Sequence, residues 1–332
     1  MKTKHLFFTL VMVFFFSATN ATIRTVSNYV NSPGQYFDFA SAHAAANPGD
    51  TIYLHGSPYN YGSISISKQL VIIGTGHNPQ KQAPLRSFLD YIYFYTGSSG
   101  TKIISLDIYM TNTENQSINN VEIRLCKFGY RIFLDEYYCN NWIIDGNVFS
   151  YTNDNISGNY GQSGHRIRNN IFNGQLVNLS NANGYHYIEN NIFLGTIDAF
   201  YNVSPAYANN NVFYRSNPGG GANGITYSNN ISYQCSNNTF PNGTNQTNVD
   251  PQFTNFPNAG ANFSYSYDFK INVASPAHFA GTDATDLGVY GGVGDFEQNG
   301  IPRIPYIASF NISNPTVAPG GTLNVTFKSK IR

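Results

Sequence analysis

A six-residue pattern recurs through the middle of the chain and constrains the fold more than any other feature. Ile144-Asp145-Gly146-Asn147-Val148-Phe149 is followed by Ile167-Arg168-Asn169-Asn170-Ile171-Phe172, Ile188-Glu189-Asn190-Asn191-Ile192-Phe193 and Ala208-Asn209-Asn210-Asn211-Val212-Phe213. Ile123-Arg124-Leu125-Cys126-Lys127-Phe128 precedes them and Tyr227-Ser228-Asn229-Asn230-Ile231-Ser232 follows as worn copies. Measured at the last position, successive intervals are 21, 23, 21, 20 and 19 residues. A period near 20 in segments rich in β-branched residues fits one coil of a parallel β-helix. Leucine-rich repeats share that period, but their leucine framework is missing here, and a propeller blade is about twice as long.

Stacking the copies gives each column a physical task. Ile123, Ile144, Ile167 and Ile188 form one inward column, and Phe128, Phe149, Phe172, Phe193 and Phe213 a second. Between them Asn147, Asn170, Asn191, Asn211 and Asn230 fall in register, and amides repeated at the strand spacing of roughly 4.8 Å can pair from coil to coil. The residue ahead of each, Gly146, Asn169, Asn190, Asn210 or Asn229, is of a type that tolerates a left-handed corner. On this register Asn230 ends the ladder. Arg124, Asp145, Arg168 and Glu189 form an outward column of alternating charge, read either as a cross-coil ion-pair ladder or as a charged groove.

The expected fold class is therefore all-β, a right-handed parallel β-helix with an N-terminal capping helix. That helix is the stretch from Tyr36 to Ala46, stopped by Asn47-Pro48-Gly49. It would cover an otherwise open sheet end. We expect three divisions: a signal peptide over 1–21, the β-helix with its cap over 22–297, and a linker with a short strand segment over 298–332. The first division rests on Lys2 and Lys4, an eleven-residue stretch over 6–16 that is apolar except for Thr9, and the small and polar residues up to Ala21. That stretch is too short to span a hydrocarbon core as a helix. The expectation is an exported, extracellular or cell-surface protein with no membrane insertion.

Composition agrees. Without Lys2 and Lys4 the chain carries 16 basic and 18 acidic residues, a balance that gives no footprint for nucleic acid or anionic lipid. Its 45 asparagines supply surface polarity, and 25 Tyr and 25 Phe supply apolar bulk. Cys126, Cys139 and Cys235 are too few and scattered for a disulfide scaffold and read as buried small hydrophobes.

Gly49-Asp50-Thr51-Ile52 after an Ala-rich helix, Ile72-Ile73-Gly74-Thr75-Gly76 and the Asn-rich coils together resemble the pectate-lyase-like right-handed β-helix superfamily. Asp250-Pro251-Gln252-Phe253, Ser275-Pro276-Ala277 and the run from Gly281 to Gly292 resemble the closing coils of secreted bacterial β-helix proteins. The resemblance implies a surface that meets polysaccharide, in a superfamily that includes lyases, glycosidases, esterases, epimerases and inert adhesins. Trp142-Ile143-Ile144-Asp145 resembles part of a pectate-lyase signature, but Gly146 stands where that signature has His. Gly164-His165-Arg166-Ile167-Arg168 resembles polygalacturonase elements without their acidic triad. Neither activity carries over, and whether the chain is an enzyme stays open.

The residues themselves offer one catalytic constellation. His165 and His186 stand one coil apart at equivalent positions, beside Arg166 and Tyr187, and are read as projecting together from one exposed side. There the imidazoles would act as base and stabiliser and Arg166 would neutralise an acidic group. Alternatively both histidines simply pack. Arg168, Glu189, Tyr187, Asp135 and Asp198 are candidate substrate contacts, with Glu136 a further outward acid. Asp135, Glu136 and Asp198 are also candidate calcium ligands, but they lack the dense clustering of a metal site, so no cofactor is expected and calcium is left open without support. Tyr91, Tyr93, Tyr95, Tyr137, Tyr138, Tyr151, Tyr160, Tyr201 and Tyr214 offer aromatic faces suited to sugar rings. The expected function is interaction of a monomer with extracellular polysaccharide, with or without its cleavage. The alternative is a non-catalytic structural or adhesive protein of the cell envelope.

Overall fold

The computed structural model describes residues 21–331 apart from 82–84, 136–137, 160, 181–183, 220–223, 295 and 315. Residues 1–20 of the expected signal peptide, Glu136, Tyr137 and Tyr160 therefore lie outside the described residues. The chain forms a parallel β-solenoid of about eight turns. Ten parallel strands, from Ile23–Val26 to Ile225–Ser228, make its first face. A thirteen-stranded sheet wraps the other two faces, because Phe88–Phe94 and Asp107–Asn112 run straight across the corner between them. Each coil passes from first face to second to third and returns by a loop. The helix occupies Phe39–Ala45, with Asp38 accepting from the Ser41 N–H at 2.8 Å and Phe39 and Ala42 buried against the first coil.

Both apolar columns fall in register. Ile123, Ile144, Ile167 and Ile188 pair along the first face, and Phe128, Phe149, Phe172, Phe193 and Phe213 stack along the second. The successive phenyl centroids are 4.9, 4.8, 5.0 and 5.0 Å apart, so the rings repeat at the strand spacing. Every side chain in both columns is fully buried.

The asparagine ladder is present and fully paired. Asn170 Oδ1 accepts from both the backbone N–H and the side-chain Nδ2 of Asn147, while its own Nδ2 donates to Ile144 O and to Asn191 Oδ1. Asn191 and Asn211 repeat the pattern. Four bonds per amide satisfy every donor and acceptor that a buried carboxamide needs. Asn230 is not the terminus, however: it donates to Asn245 Oδ1 at 2.8 Å, so a further, shorter coil carries the ladder on. At the other end Asn147 Oδ1 accepts from the Cys126 N–H, and Cys126 Sγ fills the next place in the column.

The corner column does two things. Gly146, Asn169, Asn190, Asn210 and Asn229 all have φ between 53° and 68°. The asparagine side chains also reach outward to hold a strap formed by residues 280–294. Asn229 donates to Ala280 O, Asn210 bonds Thr282, Asn190 lies on Asp286 O and Gly288 O, and Asn169 donates to Val289 O and Gly291 O. Rising strap numbers meet falling coil numbers, so the strap runs back toward the first coils, where Asn299 O accepts from the His77 and Asn78 N–H groups. Gly294 is required here, since a Cβ would lie 1.6 Å from Asn169 Oδ1.

This corrects the expectation that the β-helix continues to residue 297. Coils stop near Gln246, whose bridge to Ile231 is the last parallel pairing. Residues 253–271 then form an antiparallel pair, Phe253–Asn255 with Asp268–Ile271, and join the strap in covering the second face. The reason is the outward column Val148, Ile171, Ile192, Val212 and Ile231, an apolar stripe that buries itself under Phe253, Phe269, Leu287, Val289 and Phe296. Beyond it, Pro305–Ile312 and Val325–Ile331 pair with each other as an antiparallel hairpin.

Asn169 can thus be tested in two parts. Asn169→Gly keeps the left-handed corner and removes only the strap bonds, whereas Asn169→Ala loses both. We expect Asn169→Ala to cost about 2–3 kcal/mol and the glycine variant about half of that. In both, backbone amides of the strap should exchange with solvent faster than those of the coils, as read by hydrogen exchange.

Candidate functional site

His165 and His186 do not reach the surface. Both are fully buried, with rings stacked at 5.0 Å and 19°, and the Trp142 N–H donates to His165 Nδ1 at 3.1 Å. They belong to the inward column that holds Trp142 one coil before and Ala206 one coil after. Strand alternation explains the correction. Arg166 and Tyr187 point outward, so the residues immediately before them must point in. Burial lowers His165 well below the usual imidazole value, helped by His186, and pushes His186 down to about 4 against an opposing backbone contact from Gln162. Two neutral, enclosed imidazoles cannot serve as bases for a polymer lying outside the solenoid. The catalytic role read for them, with Arg166, is withdrawn.

Arg166 and Tyr187 do share an exposed patch on the first face. The Arg166 guanidinium lies 5.4 Å from the Tyr187 ring centroid, and Tyr207 stacks on Tyr187 at 5.7 Å and on Tyr185 at 4.8 Å. Arg168 is committed elsewhere. It pairs with Asp145 at 3.1 Å, which also binds Arg124 at 2.9 Å, and the run continues backward through Glu122 to Lys102. Asp145 is only 1% exposed, so the ladder reading describes this column and the groove reading does not. No ion pair carries it on to Glu189 among the described residues.

The remaining acids lie on other parts of the coil. Asp135 follows Ile132–Leu134 on the third face, its N–H bonded to Thr113 Oγ1, and Asp198 accepts from Asn217 Nδ2 at 2.8 Å. Neither joins Arg166. Among the described residues no three His, Cys, Asp or Glu side chains are grouped to hold a metal ion. Cys126, Cys139 and Cys235 are buried, and burial pushes the Cys126 and Cys235 thiols up to about 12, so those two are inert packing groups. Tyr214 is buried too, under the strap side of the molecule.

A longer aromatic surface forms where the second face turns into the third. Tyr91 and Tyr93 alternate outward on Phe88–Phe94 and stack at 5.7 Å. Tyr109 meets Tyr91 at 5.6 Å, Tyr130 stacks on Tyr109 at 5.7 Å, and Tyr151 meets Tyr130 edge-on at 4.7 Å. The backbone sets this succession, since the Tyr130 N–H bonds Tyr109 O and the Ser150 N–H bonds Phe128 O one coil along. Arg131 lies over the Tyr130 ring at 4.9 Å and the Phe133 ring at 4.4 Å. Tyr109 and Tyr151 remain 41% and 38% exposed, which leaves their faces open to a ligand. At the cap end, Tyr95 lines a cleft of about 420 Å³ with Asp38, His43, Tyr61 and Ser65. Tyr109 and Tyr130 were absent from the aromatic set read from sequence. Their signal was there: Tyr109, Tyr130 and Tyr151 are spaced by 21 and 21 residues, in phase with the phenylalanine column.

No protein-family model and no curated protein sequence matches the chain. No described helix is long and apolar enough to cross a membrane.

Proposed function

We propose that this protein binds an extended polysaccharide along the tyrosine corner, as a non-catalytic recognition or adhesive module. The observation that carries the reading is the run Tyr93, Tyr91, Tyr109, Tyr130 and Tyr151, in contact from ring to ring across four successive coils. Tyrosine suits sugars because its ring packs on the apolar face of a pyranose while its hydroxyl stays hydrated. A polymer laid along the axis meets the same chemistry at each coil, so weak contacts add on a surface fixed in advance. The exposed Arg166–Tyr187–Tyr207 patch on the first face supplies a shorter surface of similar character. The Asn-rich coils support placing the chain with the pectate-lyase-like solenoids. The Lys-flanked apolar start supports export to the cell exterior, where such polymers are met.

The non-catalytic reading gains from the burial of His165 and His186, the one catalytic constellation the residues offered. Retention on immobilised polysaccharides by affinity electrophoresis tests the proposal. Tyr109→Ala with Tyr130→Ala should weaken retention about tenfold or more, each lost stacking face contributing about 1 kcal/mol, without a fall in melting temperature. Unchanged retention of the double variant on every polymer the wild type binds would remove the tyrosine corner from consideration.

A further inference from the structure

A second recess is built entirely from the segments that follow the coils. It lies between the antiparallel pair around 253–271 and the end of the strap, and its volume is about 480 Å³. Tyr267, Tyr290 and Phe296 give it aromatic walls, and Asp268, Lys270 and Glu297 place charged groups at its rim. Tyr290 and Phe296 meet edge to face at 5.3 Å, and the Lys270 ammonium lies 5.9 Å from the Tyr290 centroid.

The recess is held open by its own polar bonds. Gln298 Nε2 donates to Tyr265 O and Tyr267 O, tying one wall to the other. The Glu297 carboxylate accepts from Asn299 Nδ2 at 3.0 Å and from the Ile301 N–H at 2.8 Å, which fixes the loop. Buried His77 bonds the Tyr265 hydroxyl at 2.8 Å and anchors the whole assembly to the solenoid. Tyr290 nonetheless keeps 37% of its surface exposed, and Lys270, whose N–H donates to Asp268 Oδ1, is exposed on the same strand.

We propose that this recess binds a sugar of one or two units that carries no negative charge, at a site independent of the tyrosine corner. The volume lies in the range of small-ligand sites and suits one or two pyranose rings. Aromatic walls pack on ring C–H groups, while carboxylates accept from hydroxyls and the ammonium donates to them. Charge decides among sugars. Two carboxylates against one ammonium leave the opening net negative and repel a uronate or a sulfated unit, so a sugar without negative charge is favoured.

Saturation-transfer NMR with D-glucose, D-galactose, D-mannose and cellobiose, beside D-galacturonate and D-glucosamine, tests the inference on the full chain. We expect saturation of at least one neutral sugar, with the signal falling at least fivefold in Tyr290→Ala and in Asp268→Asn. Tyr109→Ala should leave it unchanged, which separates this site from the tyrosine corner. Lys270→Ala, on the exposed rim, repeats the test where folding is not at stake, and a fall of at least twofold is expected. No transfer to any neutral sugar, stronger transfer to galacturonate than to the neutral sugars, or full transfer in Tyr290→Ala and Lys270→Ala would overturn it.

Discussion

Asn170→Leu is expected to lower the stability of the solenoid by about 3–5 kcal/mol, as read from the urea midpoint at unchanged slope. The leucine has the same branched arrangement of side-chain heavy atoms as the amide and is no smaller, so the loss comes from partners rather than from a cavity. Asn147 would lose the acceptor for its backbone N–H and for one Nδ2 proton, and Ile144 O would lose a donor. Each polar group left unpaired in a dry interior costs about 1–3 kcal/mol, and no water reaches this column, whose members from Asn147 to Asn230 are fully buried. Asn230→Leu should cost nearly as much, because Asn230 bonds Asn211 on one side and Asn245 on the other. Asn245→Leu should cost about 1 kcal/mol, since Asn245 is part-exposed and water can replace what it gave. Equal small losses at all three positions would contradict a shared ladder.

Most of the coil architecture was legible because one period fixes many columns at once. The Ile, Phe, Asn and left-handed-corner positions all follow from aligning six short segments, and each column makes physical sense only in that register. The ladder's last rung was hidden because Asn245 comes 15 residues after Asn230, where the other intervals are 19 to 23. The histidines were misplaced by a single residue of alternation, since equivalence between coils says that two side chains point the same way and leaves open which way. The strap was hidden by its turn motifs, which read as further coils. Its signal lay in the repeat itself: Val148, Ile171, Ile192, Val212 and Ile231 immediately precede the inward column, hence face out, and an apolar outward column needs a cover. The cleft at the strap's end could not be foreseen, because it joins Asp268 and Tyr290 through chain folding that no local pattern records.

Acidification from pH 7 to pH 4 should destabilise the protein steeply, well before most carboxylates titrate. His77, His165 and His186 are all buried, and burial holds each below its ordinary value of 6.5, His77 to about 3 and His186 to about 4. Lys127, Lys81 and Arg86 add to the effect at His77. In the unfolded chain these imidazoles take up protons near pH 6.5, while in the folded chain they do not. The unfolded state therefore binds more protons in this window, and stability falls as pH falls from 6.5 toward the folded values. At about 1.4 kcal/mol per unit, His186 alone accounts for about 3 kcal/mol by pH 4. Asp107 opposes the trend, since burial raises its carboxyl and protonation relieves that cost. Asp50, lowered by N–H groups of Asn47 and Thr22, adds to the loss only below its ordinary 3.8. Trp142, the single tryptophan, donates its backbone N–H to His165 and reports the event by fluorescence. Replacing both His165 and His186 with Phe keeps a stacked ring pair and removes two of the titrating groups. The double variant should lose less than half as much between pH 7 and 4 as the wild type does. A wild-type melting temperature that stays level across that range would show that the imidazoles are not held neutral by the core.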